Sequence, residues 1–390
     1  MLGTVRENRI HIRNLDFGLI LVVLALSVIG VLMVHSATVN EKTASLVSTT
    51  VKQIMGVGAG FVIMIALAFI DYRKMTKYAW VLYIVVMLGL IYVRFFTAAI
   101  YGAHRWIYFP LLGTIQPSEF SKPVMVLALA LVIHKLEENI SKPLGLFLFL
   151  LAAAPIVVLV FIEPDLSTTL VLLYIIVSVL FLGGISYKWV VGVLVLLIPA
   201  AVVFMIAVYQ PEQPILHWLF KDHQVERINA FFFPELYPNT VYQQTTSVMA
   251  IGSGGLWGKG LNNSSLYSVK NGNFLSEESS DFIFAVVGEE LGFVGVIVLF
   301  LLYAVLVFES LRISRHCNDL MGKIIAAACG TTIGVQAMIN IGVATLLIPN
   351  TGIPLPFVSA GLSSLLSTFI MMGLVLSCGM YGRIQQRVFY

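Results

Sequence analysis

Long apolar segments without charged residues alternate with short polar segments along most of the chain. Crossing the hydrocarbon core of a bilayer takes about 20 consecutive apolar residues in a helix, so each such segment predicts a membrane-spanning helix. The uninterrupted segments are Phe17–Val34, Ile54–Ile70, Tyr78–Val93, Leu144–Ile162, Leu166–Leu182, Trp189–Tyr209 and Ile324–Ile348.

Three further segments are shorter or contain charged residues, namely Val124–Ile133, Phe282–Phe308 and Leu365–Met380. The first extends back through Glu119 and Lys122. Together with the uninterrupted segments they predict an all-α polytopic membrane protein with about ten transmembrane helices. Residues 1–390 then form a single membrane domain.

The composition excludes several classes of protein. Of the 390 residues, 59% are hydrophobic and 11% are charged, whereas a soluble globular chain has about 25% charged residues. A soluble enzyme and a disordered protein are therefore excluded. The net charge of +3 is too small for a nucleic-acid-binding surface.

The distribution of basic residues predicts the orientation in the membrane. With the N-terminus inside, 14 of the 23 Lys and Arg residues fall on the inner side. The positive-inside rule then makes both terminal tails, residues 1–15 and 383–390, cytoplasmic. It also makes residues 210–280, between the seventh and eighth helices, a large extracytoplasmic loop. A loop of this length is usually functional or disordered, and its many aromatic residues favour function.

The strongest local signal is a carboxylate, Asp281, at the predicted outer end of the eighth helix. At this boundary Asp281 is accessible to water and to lipid head groups, and a partly apolar setting suits a general base. The alternative is an ordinary helix cap. Glu289 lies about 12 Å deeper in the membrane, so we expect Glu289 and Glu290 to pair with polar groups on neighbouring helices.

A second signal combines Arg105 with Trp106 and, further along, Glu119 with Lys122. A forked guanidinium beside an aromatic ring suits a phosphate at the membrane interface, although an interfacial anchor would look the same. Glu119 and Lys122 are three residues apart, so on a helix they are adjacent and can neutralise each other.

A glycine-rich segment, Ile251–Gly260, contains Lys259 and could hold an anion on its backbone amides. It is not a Walker A motif, because Gly260 follows the lysine where Ser or Thr is required. Most such segments are simply tight turns. The segment Pro349–Gly361 is rich in Pro and Gly and predicts a non-helical loop before the last helix.

In this order, the motifs resemble those of the SEDS family, the RodA/FtsW/SpoVE peptidoglycan glycosyltransferases, over nearly the whole chain. The matching motifs are GAxRWI at Gly102–Ile107, QPSExxK at Gln116–Lys122, PDL at Pro164–Leu166, YQ at Tyr242–Gln243, IGSGGxxGKG at Ile251–Gly260, DFIF followed by EExG at Asp281–Gly292, and TGIPLPFxS at Thr351–Ser359.

The resemblance implies a fold of ten helices and an enzyme that polymerises lipid II on the outer face of the cytoplasmic membrane, releasing undecaprenyl pyrophosphate. Asp281 corresponds to the family's essential aspartate and would be the catalytic base. Arg105, Trp106, Lys122 and Lys259 would bind the substrate and its pyrophosphate. Supporting roles fall to Glu119, Tyr242, Gln243, Glu277, Glu289 and Ser359.

The resemblance also implies a partner, a class B penicillin-binding protein, and contact with other membrane proteins of the elongation or division machinery. A divalent cation, Mg²⁺ or Mn²⁺, is expected on the pyrophosphate, but the sequence shows no cluster of ligands for it. The chain departs from the family pattern at Ser167, Thr246, Ser276, Ala360 and Leu362.

Two other functions remain open at this stage. A transporter that flips the lipid-linked precursor would need a polar path through the bilayer, part of which Glu119, Lys122, Glu289 and Glu290 could supply. A non-enzymatic scaffold of the wall-synthesis complex would need none of the outer carboxylates.

Overall fold

The structure is a computed structural model, and it describes residues 15–38, 48–97, 105–109, 113–210, 212–220, 222–262, 268 and 279–382. The described chain is almost entirely helical. Its helices are α1 (Phe17–Thr38), α2 (Thr49–Ala68), α3 (Tyr72–Lys77), α4 (Ala79–Phe96), α5 (Pro117–Leu136), α6 (Pro143–Ile162), α7 (Leu166–Leu182), α8 (Tyr187–Tyr209), α9 (Pro214–Leu219), α10 (Asp222–Phe232), α11 (Pro238–Ser253), α12 (Ile283–His316), α13 (Leu320–Ala344) and α14 (Leu362–Tyr381).

Eight of these helices, α1, α2, α4, α6, α8, α12, α13 and α14, are long and apolar enough to cross a membrane. The chain is therefore a multi-pass membrane protein. Two helices fall at predicted spans without meeting both conditions: α7 has only 17 residues, and α5 contains Glu119 and Lys122. The total of ten spans, their orientation and the single-domain division stay predictions.

The centre of the bundle is formed by α13 and α14, whose apolar segments are 72% and 83% buried. By contrast, α8 is only 6% buried and lies at the periphery. The packing of α14 on α2 depends on small residues: a Cβ on Gly60 would lie 2.1 Å from Cδ2 of Phe369. Close backbone approach at small residues is a general device for packing helices in membranes.

The long helix α12 is interrupted at Gly292, where φ is +64°. The backbone groups that this break leaves without helical partners bond to the segment 254–260. Lys259 N donates to Glu289 O (2.9 Å) and Phe293 N donates to Gly255 O (2.9 Å). These hydrogen bonds are needed because an unsatisfied backbone group at membrane depth is costly in free energy.

The described part of the predicted outer loop 210–280 contains helices α9, α10 and α11. A small apolar cluster, Ala207, Val208, Leu216, Val225 and Ile228, fixes α9 and α10 to the end of α8. Next to the bundle, a two-stranded antiparallel hairpin, β1 (Ile107–Phe109) and β2 (Gly113–Ile115), leads into α5.

Candidate active site

Asp281 lies in the turn that precedes α12, as the sequence predicts. Buried Asn340, on α13, donates through Nδ2 to the Asp281 carbonyl (2.8 Å) and to Ile353 O (2.6 Å). Ser359 Oγ donates to the neighbouring Ser280 O (2.5 Å). The backbone of this turn is thus attached both to α13 and to the segment before α14.

The segment 349–361 is a non-helical loop, as its Pro and Gly content predicts, and it packs against Asp281. Gly352 lies next to the carboxylate: a Cβ at this position would be 3.2 Å from Asp281 Oδ2. Gly352 has φ of +74°, a conformation that glycine adopts at little cost. The glycine therefore keeps one side of the carboxylate open.

Arg227, on α10, is the main residue that sequence reasoning left outside the candidate site. The pKa of Arg227 is lowered, first because the surrounding protein removes water from its guanidinium; the charge of Asp281 opposes this effect and that of Arg105 adds to it. The side chain still reaches solvent, and Nη1 contacts Asn350 O at 3.4 Å. Arg227 therefore lies within electrostatic range of both Asp281 and Arg105.

Arg105 is fixed to the connection between α6 and α7. Its Nε donates to Glu163 O (2.9 Å), its Nη2 donates to Pro164 O, and its Nη1 lies 3.9 Å from Asp165 Oδ1. About a quarter of the side chain remains exposed. Trp106 follows, half-buried, at the entry to the hairpin.

Asp165 is a buried carboxylate that holds several elements together. It caps α7 by accepting from Thr168 N (3.1 Å), and its Oδ2 accepts from Gln116 Nε2 (2.8 Å) and Ser118 Oγ (3.0 Å). The PDL and QPSE motifs are thus in direct contact. The motif pattern alone gave no reason to expect this contact, because the two segments lie far apart in sequence.

Glu163, next to this network, is 1% exposed, and neither carboxylate oxygen has a hydrogen-bond partner. Burial and, to a smaller extent, the charge of Asp165 raise the pKa of Glu163 to about 8, against the opposing charges of Arg105 and Arg94. The buried carboxyl group therefore keeps its proton at neutral pH.

The charged pair on α5 is closed off from solvent. Lys122 Nζ contacts Glu119 Oε2 at 2.6 Å, and Lys122 is 1% exposed. The spacing predicted this pairing. The ammonium is occupied inside the bundle rather than presented at the surface near Asp281.

The lysine of the glycine-rich segment is also in an ion pair. Lys259 Nζ lies 2.7 Å from Glu289 Oε1, and Ser268 Oγ contacts the other oxygen of this carboxylate at 3.3 Å. Glu290 accepts from Ser36 Oγ on α1 (2.6 Å). Both glutamates of α12 thus have polar partners on neighbouring elements, as expected for carboxylates at membrane depth.

The tyrosine motif on α11 contacts the bundle through a residue that the motif did not single out. Gln244 is buried and donates through Nε2 to Val343 O and Ile348 O, both at 2.9 Å. Tyr242 is exposed and Gln243 is half-buried. Glu277 lies outside the described residues.

Across the described part of the chain, no three His, Cys, Asp or Glu side chains are grouped so as to hold a metal ion. The residues here do not by themselves form a resident metal site, so no step is derived through a metal. The divalent cation remains a prediction.

Comparison with known proteins gives concordant results. Residues 17–384 match the family model of the cell cycle proteins FtsW, RodA and SpoVE. The probable peptidoglycan glycosyltransferase FtsW of Geobacter metallireducens is 31% identical, over 94% of this chain and 95% of its own. The peptidoglycan glycosyltransferase MrdB of Escherichia coli K12 is 33% identical, over 93% of each chain.

A solved structure shares the fold. One chain of a peptidoglycan synthase complex, studied for the coordination of polymerization and crosslinking, superposes with a TM-score of 0.73 and 27% identity. The match covers 94% of this chain and 98% of the other.

Proposed function

Because the chain belongs to the family of the cell cycle proteins FtsW, RodA and SpoVE, we propose that it is a peptidoglycan glycosyltransferase that polymerises lipid II. The relatives that carry this activity in their names align over nearly the full length. The main structural support is the position of Asp281, a carboxylate at a helix entrance with the Arg227 guanidinium within electrostatic range of it.

In the proposed reaction, the Asp281 carboxylate accepts the proton of an acceptor sugar hydroxyl. The hydroxyl oxygen then forms a bond to the anomeric carbon of the donor sugar, and the bond between that carbon and the pyrophosphate oxygen breaks. The electron pair of the broken bond leaves with undecaprenyl pyrophosphate. A positioned base of this kind accelerates a reaction by about 10²–10⁴-fold.

Arg227 and Arg105 are suited to the leaving group. The pyrophosphate gains negative charge as its bond to the sugar breaks, and guanidinium groups bind phosphate oxygens through paired donors. The bonds of Arg105 to Glu163 O and Pro164 O hold its guanidinium in a defined place before substrate arrives. Pre-organised donors need no rearrangement at the moment of reaction.

Lys122 and Lys259 receive a different role in this proposal from the one their sequence motifs suggested. Each is paired with a glutamate, at 2.6 Å and 2.7 Å. Lys122 with Glu119 stabilises the bundle near the start of α5, and Lys259 with Glu289 joins the glycine-rich segment to α12. Both lysines would then support the site instead of binding pyrophosphate.

We place Asp281 on the extracytoplasmic face, with both termini in the cytoplasm and residues 210–280 outside. The distribution of basic residues supports this orientation. We also propose a class B penicillin-binding protein as partner, because the chain shares its fold with a component of a peptidoglycan synthase complex.

The test is to purify the full-length chain with its transpeptidase partner and supply fluorescent lipid II. The proposal expects glycan strands from the wild type and about 10²–10⁴-fold less product from Asp281→Asn. Glu235→Gln, at an exposed carboxylate in the same outer segment, is the matched control and should polymerise normally.

Movement of labelled lipid II across vesicle membranes is measured in parallel. A protein that transports lipid II and makes no polymer would support the transporter hypothesis and overturn this proposal. A protein that does neither, while still binding its partner, would indicate a scaffold.

A further inference from the structure

A cavity of about 480 Å³ opens within the outer segment, between the end of α8, helices α9 and α10, and the start of α11. Small-molecule sites typically have volumes of about 300–1,000 Å³. None of the residues assigned above to catalysis or pyrophosphate binding lines it.

One side of helix α10 faces this cavity. Asp222, Glu226 and Asn229 line the cavity, and their spacing of three and four residues places them along one side of α10, with Phe233 following the helix. Arg227, at about 100° per residue, lies well round the helix from that row. The cavity and Arg227 therefore lie on different sides of α10.

The charge of the cavity argues against a phosphate ligand. Three carboxylates, Glu212, Asp222 and Glu226, line it, and no Lys or Arg does so within the described residues. Among the described lining residues, the one imidazole is that of His217, whose Nδ1 lies 3.1 Å from Asp222 Oδ1. An anion would meet repulsion here, whereas a neutral molecule rich in hydroxyl groups would find acceptors.

The other walls combine aromatic rings with an amide pair. Tyr209 and Phe233 meet edge to face, with ring centroids 5.4 Å apart, and form an apolar corner. Gln213 and Asn229 exchange two hydrogen bonds of 2.9 and 2.8 Å, which fixes the orientation of both amides. Apolar faces beside carboxylate acceptors match a pyranose ring, which has apolar C–H faces and hydroxyl groups at its edges.

We propose that this cavity binds an N-acetylhexosamine unit of the glycan strand, away from the sugar that reacts at Asp281. The inference rests on the proposed function, because only a polymerase would present a strand to both places at once. Binding at the cavity would retain the strand between successive additions and so lengthen the product.

The first experiment measures binding of chitotetraose, a neutral N-acetylglucosamine tetramer, to the full-length protein by saturation-transfer NMR. The double variant Glu212→Ala, Asp222→Ala removes two exposed acceptors and should weaken binding about tenfold. Glu235→Ala changes an exposed carboxylate outside the cavity and should bind as the wild type does.

The fully deacetylated tetramer, a polycation, is the competing probe. Tighter, salt-sensitive binding of this polycation would mean that the carboxylates attract charge and would overturn the proposal. Absence of chitotetraose binding, or equal binding by the double variant, would overturn it as well.

The second experiment measures strand length in the polymerisation assay. The double variant should give markedly shorter strands at an unchanged rate of first bond formation, whereas strands of wild-type length would contradict the proposal. If the wild type made no polymer, the proposed function would fail, and the binding experiment would still decide whether the cavity takes a sugar.

Discussion

Asn340 illustrates how one buried residue can position a site that it does not enter. Its amide donates to two backbone carbonyls, those of Asp281 and Ile353, which belong to different segments. One side chain on α13 therefore sets the distance between the Asp281 turn and the loop that packs on it.

Replacing Asn340 by Ala should lower both stability and turnover. Two buried carbonyls would lose their donor, which costs about 1–3 kcal/mol of unfolding free energy for each group. We expect a turnover number reduced about tenfold with little change in KM, since a positioning residue acts on chemistry more than on binding. Thermal unfolding and steady-state polymerisation measure the two effects, and a variant with unchanged turnover would contradict the positioning role.

The raised pKa of Glu163 predicts how the stability of the protein depends on pH. Its carboxyl group loses its proton near pH 4.5 when unfolded and near pH 8 when folded. The folded protein therefore binds more protons between these values, and the stability of the wild type should fall as pH rises from about 4.5 to about 8.

Glu163→Gln cannot ionise and should lack this loss. We expect equal stability at pH 4 and an advantage of about 1–3 kcal/mol for the variant at pH 8.5, measured by thermal unfolding in detergent. Glu138→Gln, at an exposed carboxyl, should follow the wild type. If the stability of wild type and of Glu163→Gln changed with pH in parallel, the raised pKa of Glu163 would be contradicted.

Arg227 should matter most when the leaving group departs. Arg227→Gln is expected to reduce turnover about 10²–10³-fold, the usual loss on removing a donor to developing charge. Arg227→Lys keeps the charge without the paired donors and should retain an intermediate rate. Polymerisation by both variants measures this, and a glutamine variant as active as the lysine variant would contradict the role.

At the scale of residues, sequence motifs singled out Asp281, Arg105 and the Glu119–Lys122 pair; the pairing is observed, and the roles of Asp281 and Arg105 stay predictions. They did not locate Arg227 or Glu163, because the importance of these residues depends on which distant segments lie beside them. The sequence also did not predict the partner of Lys259. Glu289 is 30 residues away, and the break in α12 brings the two side chains together.

Among the elements, the interrupted helix α12 and the glycine-rich segment form a single unit. A Cβ on Gly258 would lie 2.1 Å from Glu290 O, and its φ is +77°. Gly252, in the same motif, has no neighbour within 4 Å of a Cβ and no such φ. One motif therefore contains both an essential glycine and a dispensable one.

This contrast predicts that Gly258→Ala destabilises the protein by about 1–3 kcal/mol, because it introduces both strain and a clash. Gly252→Ala should leave stability within about 0.5 kcal/mol of the wild type. Thermal unfolding of both variants tests this, and similar losses for the two would indicate that the segment does not pack on α12 as described.

Helix positions were predictable because each long apolar segment must satisfy its own backbone in lipid. The predicted segment Trp189–Tyr209, for example, falls within α8. Helices α10 and α11 were not predicted, since they are mixed in polarity and are stabilised by local contacts such as the cluster under α10. The break in α12 at Gly292 was likewise not predictable from the pattern of apolar residues.

On the scale of the whole molecule, burial distinguishes the centre from the periphery: α13 and α14 are largely enclosed by other elements, whereas the apolar segment of α8 is only 6% buried. The residues that hold Asp281 come from the enclosed helices and the loop between them. The chemistry thus rests on the best-packed part of the bundle.

One measurement separates the role of Asp281 in chemistry from its role in binding. It is the single-turnover rate of Asp281→Asn at saturating lipid II, with the dissociation constant for lipid II determined on the same sample. If Asp281 is the base, the rate falls about 10²–10⁴-fold while lipid II binds with nearly wild-type affinity. A wild-type rate, or a loss explained entirely by weaker binding, would contradict the role of Asp281 as the base.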